Sequence, residues 1–203
     1  MKNKIIDFVE RLSEIDCIPD STAPFENPYK REACKYNLEQ YLLFLSVVHP
    51  KFMLVGEAPG YRGCQLTGIP FTDEIQLLNS SNNFALGDWE RHPDTGNQKE
   101  NSATVIWEGL REKRLIPIMW NAFPFHPYNE GKVKSNRTPN AAEIKWGKDI
   151  IKEICELFDI KVLYAVGKKA QGQLGLSNDF GIRHPSYGGK EKCLEGLSGI
   201  SVQ

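Results

Sequence analysis

Residues 51–60 read KFMLVGEAPG, an apolar run that passes directly into a turn rich in glycine and proline. The run from Lys51 to Val55 predicts a short strand, and the glycines allow the backbone to turn sharply and to approach a ligand closely. Side chains in this turn stand at the carboxyl end of the strand, which is where open α/β sheets collect their ligand sites. The stretch therefore predicts both a fold class and the position of a site.

The rest of the chain alternates between strand-like and helix-like segments. Further strands are predicted at 115–120, at 161–166 and near 180–183, and the polar stretch 87–101 is predicted to be a loop. Helices are predicted at 1–12, 37–48, 73–80 and 168–174, and another is predicted with Thr138 as its N-cap and Pro139 as its first residue. This alternation indicates a parallel sheet covered on both faces. We expect an α/β fold, a three-layer α/β/α sandwich with a short, mostly parallel central sheet, in a single domain over residues 1–203.

The composition limits the classes of protein to which the chain can belong. Its 203 residues are 40% hydrophobic and carry a net charge of −1, so it can bury one sizeable core and is not a strongly basic nucleic-acid protein. Scattered cysteines argue against a disulfide framework or a paired metal site; they are Cys17, Cys34, Cys64, Cys155 and Cys193. No stretch approaches the roughly twenty apolar residues of a membrane span. We expect a reduced, cytoplasmic, monomeric protein with no membrane partner.

Three polar residues follow three of the predicted strands: Glu57, Asn121 and His184. A carboxylate can hold a water or face a developing positive charge, and an imidazole can donate to an oxygen that becomes anionic. An amide held in one orientation separates uracil from cytosine, because the two bases carry opposite donors and acceptors on the edge that it meets. Each residue also has a structural interpretation, as a solvated carboxylate or as an ordinary strand-end turn residue.

Further candidates lie in the connecting loops. Phe71 can stack on a base or anchor its own loop in the core. Arg137 belongs to a basic cluster that can contact phosphates or form a solvated face. Segment 184–190 contains small, flexible residues that can enter a nucleic-acid groove, with Lys190 reaching phosphates. His126 can contact substrate or DNA, but it is expected to be a surface or partly packed residue.

Together these segments resemble the uracil-DNA glycosylase superfamily, and in particular its thermophile-type family, which carries Gly-Glu-Ala-Pro-Gly. The motifs occur in the family's order: GEAPG at 56–60, GIPF at 68–71, the strand-end Asn121, NRTP at 136–139 with Glu143-Ile144, and HPS at 184–186. They span residues 51–190, which is most of the chain. Five motifs in order are more specific than any one of them.

The resemblance implies a role for each residue. Glu57 would position the attacking water, and His184 would stabilise the leaving base at its O2. The flipped base would be bound by Gly56, Ala58, Phe71 and Asn121, with the phenylalanine stacking on it and the asparagine reading the uracil edge. DNA would be contacted by Arg137, Ser186, Tyr187 and Lys190, and residues 187–190 would fill the gap left in the duplex.

The chain departs from that family in two places. The family holds an iron–sulfur cluster through four cysteines, but Cys17 has no near partner, and two of the other ligand positions fall roughly at Phe125 and Trp146. We therefore predict no cluster and no other cofactor, with apolar packing in place of a metal-tied loop. Ala58 stands where other branches place Asp or Asn, so catalysis would depend on Glu57 alone or be slow.

These inferences predict a DNA glycosylase that hydrolyses the N-glycosidic bond of uracil in DNA, in base excision repair. Cleavage builds positive charge on the sugar and negative charge on the base, which a carboxylate and a hydrogen-bond donor address separately. Two enzyme alternatives are a glycosylase for another deaminated base, such as hypoxanthine or xanthine, and a hydrolase of free nucleosides. A different class is a non-catalytic module that binds nucleobases or single-stranded nucleic acid, which Ala58 favours.

Overall fold

The computed structural model describes residues 1–79, 81–82, 89–90 and 98–201. Of the loop predicted at 87–101, residues 87–88 and 91–97 lie outside the described residues. The helices are α1 (Lys2–Ser13), α2 (Glu32–Val48), α3 (Cys64–Thr67), α4 (Glu74–Leu77), α5 (Asn101–Lys113), α6 (Ala141–Phe158), α7 (Lys168–Leu174) and α8 (Lys190–Ser198). The strands are β1 (Phe25–Glu26), β2 (Phe52–Gly56), β3 (Ile118–Asn121), β4 (His126–Pro127), β5 (Val162–Val166) and β6 (Gly181–Ile182).

The predicted parallel sheet is confirmed. Its four strands lie in the order β3-β2-β5-β6, every neighbouring pair is parallel, and helices flank the sheet. Strand β2 is buried along its whole length, as an apolar strand covered on both faces should be. The register places Gly56 opposite Asn121, so the ends of β2 and β3 are level. The short strands β1 and β4 form a separate antiparallel ribbon that the sequence pattern does not predict.

Strand β3 begins directly after Pro117, because a proline cannot donate a hydrogen bond to a neighbouring strand. It lies at the edge of the sheet, where backbone groups need other partners. The buried hydroxyl of Tyr41 on α2 supplies one, accepting from the Met119 N–H at 2.7 Å and donating to the Pro117 carbonyl at 3.3 Å. Helix α2 therefore holds the strand that ends in Asn121.

Helix α6 begins two residues later than predicted. Asn140 is the N-cap in place of Thr138, and its side chain accepts from the Glu143 N–H at 2.9 Å. The Glu143 carboxylate accepts in return from the Asn140 N–H at 2.8 Å, which completes a capping box. Pro139 consequently lies before the helix, and the reciprocal cap decides where the helix begins.

The sequence pattern does not predict helices α5 and α8. Helix α5 has no side-chain cap at Glu100. Instead, the Glu100 N–H donates to the Asp73 carboxylate at 2.7 Å, and the Gln98 N–H donates to the Glu74 carboxylate at 2.8 Å. Both acids are completely buried at the start of α4. A contact between distant segments therefore decides where α5 starts.

An aromatic cluster occupies the positions for which the resemblance implied metal ligands. The Phe125 ring is completely buried, 5.3 Å from the Trp146 ring and stacked at 5.2 Å on Phe25. Cys17 is exposed. These residues do not fit an iron–sulfur cluster, because large rings fill the place of its ligands. Over the described ranges, no group of three or more His, Cys, Asp or Glu residues could hold a metal ion.

His126 corrects a further expectation, since it is 1% exposed instead of lying at or near the surface. Its two ring nitrogens lie 2.8 Å from the Pro59 carbonyl oxygen and 3.0 Å from that of Val133. The residue thus joins the GEAPG turn to the loop after β4. No helix among the described residues is long and apolar enough to cross a membrane.

Candidate active site

The carboxyl ends of the parallel strands open onto one cavity of about 710 Å³. Nine of the ten predicted site residues line it: Gly56, Glu57, Ala58, Phe71, Asn121, Arg137, His184, Ser186 and Tyr187. Lys190 is the tenth and does not line the cavity. The structure therefore brings together side chains that are more than a hundred residues apart in the chain.

Glu57 follows the last residue of β2 and points into this cavity with its side chain 27% exposed. Its backbone is held by the neighbouring strand end, since its carbonyl accepts from the Phe123 N–H at 3.1 Å. The Lys169 ammonium lies 3.4 Å from its Oε1 atom, an ion-pair distance. No residue in the described ranges forms a well-aligned hydrogen bond with that oxygen. The carboxylate can therefore accept a hydrogen bond from a water.

Asn121 and Phe71 meet above Gly56. A Cβ atom on this glycine would lie 2.6 Å from the Asn121 Oδ1 atom and 2.8 Å from the Phe71 Cζ atom, so a side chain there would displace both residues. Phe71 itself has a left-handed backbone, with φ of +54°. The amide is 4% exposed, and its Nδ2 atom lies 3.9 Å from the Cys64 sulfur. A planar amide beside a ring is suited to binding a flat heterocycle through its edge and its face.

His184 follows β6, and its hydrogen bonding identifies its tautomer. The Ser186 N–H donates to Nδ1 at 3.2 Å, so Nδ1 is an acceptor and Nε2 carries the proton of the neutral ring. Burial lowers the pKa of His184 most, Arg183 lowers it further, and Glu57 partly opposes them. The imidazole is therefore neutral at pH 7 and offers an Nε2–H donor.

The segment after His184 ends in a projecting aromatic side chain. Tyr187 is 99% exposed and has a left-handed backbone, with φ of +53°. Gly189 has no space for a side chain, because a Cβ there would lie 2.1 Å from the His184 carbonyl oxygen. Lys190 begins α8 and forms an ion pair with Glu108 at 2.8 Å. Its predicted contact with DNA stays a prediction.

Arg137 lines the cavity but has many partners inside the protein. Two of its N–H groups donate to Glu143 at 2.6 and 2.7 Å, and the others donate to the carbonyls of Pro24, Tyr128 and Thr138. These five contacts match the five N–H groups of a guanidinium. A DNA phosphate would have to displace one of them, and the predicted DNA role of Arg137 stays a prediction.

The cavity lining also includes residues with no assigned role in the sequence motifs, among them Cys64, Glu100, Lys169 and Arg183. Burial raises the pKa of the Glu100 carboxyl, while a hydrogen bond of 2.5 Å from the Ser102 hydroxyl opposes that increase. Lys169 also donates to the Thr138 hydroxyl at 2.8 Å. Lysines 168 and 169 form a recognisable basic pair in the sequence, but only packing shows which carboxylate the second one meets.

Comparisons with known proteins bear on the family and the fold of the chain. A family model described as "Uracil DNA glycosylase superfamily" matches residues 44–193. Among solved structures, the chain is similar to the crystal structure of wild-type SMUG2 from Pedobacter heparinus, with a TM-score of 0.64 and 18% sequence identity. That match covers 96% of this chain and 95% of the other. No curated protein matches the chain.

Proposed function

The chain belongs to the uracil DNA glycosylase superfamily, and from this premise we propose that it hydrolyses the N-glycosidic bond of uracil in DNA. Members of the superfamily are glycosylase hydrolases that act on damaged DNA bases. The observation that carries the proposal is the convergence of Glu57, Asn121 and His184 on one cavity. Each supplies a different kind of group, and the reaction needs all three kinds.

The reaction separates charge, and the cavity has a group for each half. As the bond to the base breaks, the sugar becomes oxocarbenium-like and the base gains negative charge. The Glu57 carboxylate stabilises the sugar and holds the water that attacks its anomeric carbon. The Nε2–H of His184 donates to the O2 atom of the departing base, and a preorganised donor of this kind is worth most where charge develops.

Base identity is read by Asn121, in which one Nδ2–H donates to O4 while Oδ1 accepts from N3–H. Cytosine carries the opposite pattern, so it leaves buried polar groups unpaired. Phe71 stacks on the face of the base, which adds affinity without distinguishing one base from another.

The base must leave the duplex before it reaches the cavity, which costs a few kcal/mol. Tyr187 projects from the rim and fills the space that the base vacates, and Ser186 beside it contacts the DNA. The exposed cations Lys168 and Arg183 line the same cavity and contact the flanking phosphates. We expect Tyr187→Ala to slow excision from a duplex more than excision from a single strand.

The proposal is tested with an oligonucleotide that contains one uracil, by measuring release of the free base at enzyme excess. We expect Glu57→Gln and His184→Ala each to slow release by about 100-fold or more. Glu156→Gln is the matched control, because this glutamate lies on α6 with its side chain 69% exposed. The proposal fails if the wild type releases no uracil, or if both active-site variants retain the wild-type rate.

The cavity volume favours a second candidate substrate. About 710 Å³ lies within the range of pockets that hold drug-sized ligands, so a purine also has room. A glycosylase for hypoxanthine or xanthine would release those bases faster than uracil from matched oligonucleotides. Oligonucleotide binding with no abasic product would identify a non-catalytic module instead, and activity on free deoxyuridine would identify a nucleoside hydrolase.

A further inference from the structure

The amide of Asn121 can distinguish bases only if it is held in one orientation. Rotation by half a turn exchanges Oδ1 and Nδ2, and the exchanged amide pairs with cytosine instead of uracil. The side chain is 4% exposed, so water is not its main partner. The residues around it must therefore decide which atom faces which side.

The contact on the Nδ2 side is the sulfur of Cys64, at 3.9 Å. This cysteine is the first residue of α3, lines the cavity and is 3% exposed. On the other side, Oδ1 lies over Gly56, where a Cβ atom would be only 2.6 Å away. The amide is thus held between the end of a neighbouring strand and the start of a helix that follows the GEAPG turn.

Cys64 is a neutral thiol. Burial raises its pKa well above the ordinary value, and Cys34 and Glu100 raise it further. Burial raises the pKa of Tyr29 well above its ordinary value, and the nearby Cys64 raises it further. The Tyr29 hydroxyl is completely buried and has no hydrogen-bond partner within the described ranges. The sulfur of a neutral thiol is a weak hydrogen-bond acceptor, and here the Asn121 Nδ2–H donates to it.

We propose that Cys64 is a positioning residue that holds the Asn121 amide in the orientation that reads uracil. The sulfur accepts one Nδ2–H, the second Nδ2–H is directed to the O4 atom of the base, and Oδ1 is directed to N3–H. Cys64 touches no reacting atom and acts only through Asn121. This assignment rests on the proposed function, since it concerns how the same cavity selects its base.

The kinetic test compares two substrates that differ at the edge that Asn121 reads. One oligonucleotide carries uracil, and the other carries 2-pyrimidinone, which has neither the 4-oxygen nor the N3–H. Loss of a weak neutral hydrogen bond should slow release of uracil from Cys64→Ala by about threefold to tenfold. Release of 2-pyrimidinone should change less than about twofold, and Cys64→Ser should recover most of the uracil rate, because a hydroxyl also accepts.

Cys34→Ala is the matched control. Cys34 is also completely buried beside α3, but its thiol lies near the carbonyls of Gln65 and Leu66, at 3.8 and 3.4 Å. This variant should leave the ratio of the two rates unchanged. The assignment is overturned if Cys64→Ala slows both substrates equally, which is the result of a merely structural role, or if it slows neither.

A second measurement needs no enzymatic activity. In NMR spectra of the full chain, the side-chain amide of Asn121 is assigned by its disappearance in Asn121→Asp. Its protons should exchange with solvent at least about threefold faster in Cys64→Ala than in the wild type, and at the wild-type rate in Cys34→Ala. Equal exchange in both variants overturns the assignment. A wild type that releases no uracil refutes the proposed function, and the exchange rates then still decide the role of Cys64.

Discussion

At Gly147, a very small chemical change should have a large effect on both stability and activity. It lies inside α6 against the end of β3, and a Cβ atom there would be 1.9 Å from the Ala122 carbonyl oxygen. Ordinary contacts of a Cβ atom begin at 3.4 Å, so Gly147→Ala requires a separation of about 1.5 Å between helix and strand. The obstructing atom belongs to the backbone and cannot rotate away.

The magnitude follows from two opposing effects. Overpacking a tight interior lowers the free energy of unfolding by about 1–3 kcal/mol, and the rigid carbonyl places this case at the upper end. Exchanging glycine for alanine inside a helix raises it by about 1 kcal/mol. We expect Gly147→Ala to lower the free energy of unfolding by about 2 kcal/mol. Ala122 directly follows the site residue Asn121 in the chain. A displacement of about 1 Å there should slow excision by about 100-fold.

The assay combines urea unfolding with single-turnover release of uracil, and two other helical glycines serve as controls. A Cβ on Gly172 meets nothing within 4 Å, so Gly172→Ala should gain about 0.5–1 kcal/mol and keep full activity. A Cβ on Gly109 would lie 2.5 Å from the Leu197 side chain, and this side chain can move. The stability of Gly109→Ala should therefore lie between those of Gly147→Ala and Gly172→Ala. Wild-type stability and activity in Gly147→Ala would refute the reasoning.

Three further predictions concern titration and packing. The pKa of His184 is lowered. The contribution of His184 to the free energy of unfolding is therefore complete above about pH 6.5 and is lost as the pH falls through the folded-state pKa. NMR should show the Nε2–H tautomer and a titration midpoint below 6.5. The pKa of Glu100 is raised. The contribution of Glu100 to the free energy of unfolding is therefore complete below the ordinary pKa of 4.5 and is lost as the pH rises through the folded-state pKa. Glu100→Gln should therefore be more stable than the wild type in urea at pH 7 but not at pH 4, and an equal difference at both values would contradict this. Phe125→Ala should cost about 3–5 kcal/mol of unfolding free energy because it empties the centre of the aromatic cluster, and a cost below about 1 kcal/mol would show that the cluster does not support the loop after β3.

Much of the sheet could be predicted from local patterns. The runs predicted as strands at 51–55 and 115–120 overlap β2 and β3, although β3 begins only after Pro117. Strand β2 ends beside Glu57, and β3 ends at Asn121. The pattern did not predict α5, because its first residues are fixed by buried carboxylates of α4 instead of by a cap of their own. The sequence pattern placed the N-cap of α6 at Thr138, because a threonine followed by proline is also a good helix start. The stronger capping box lies two residues further on, at Asn140.

The sequence by itself determined which chemical groups stand at the strand ends, since a short apolar run, a glycine turn and a polar residue are neighbours in the chain. Only the tertiary structure decided what those groups meet. It gave Glu57 the ammonium of Lys169, directed all five donors of Arg137 into the protein, and placed Cys64 against Asn121. The backbone conformation of a segment depends largely on adjacent residues, so it can be predicted from the local sequence. The partner of a polar side chain depends on which distant segments the packing of the core brings within 3–4 Å, and no local pattern contains that information.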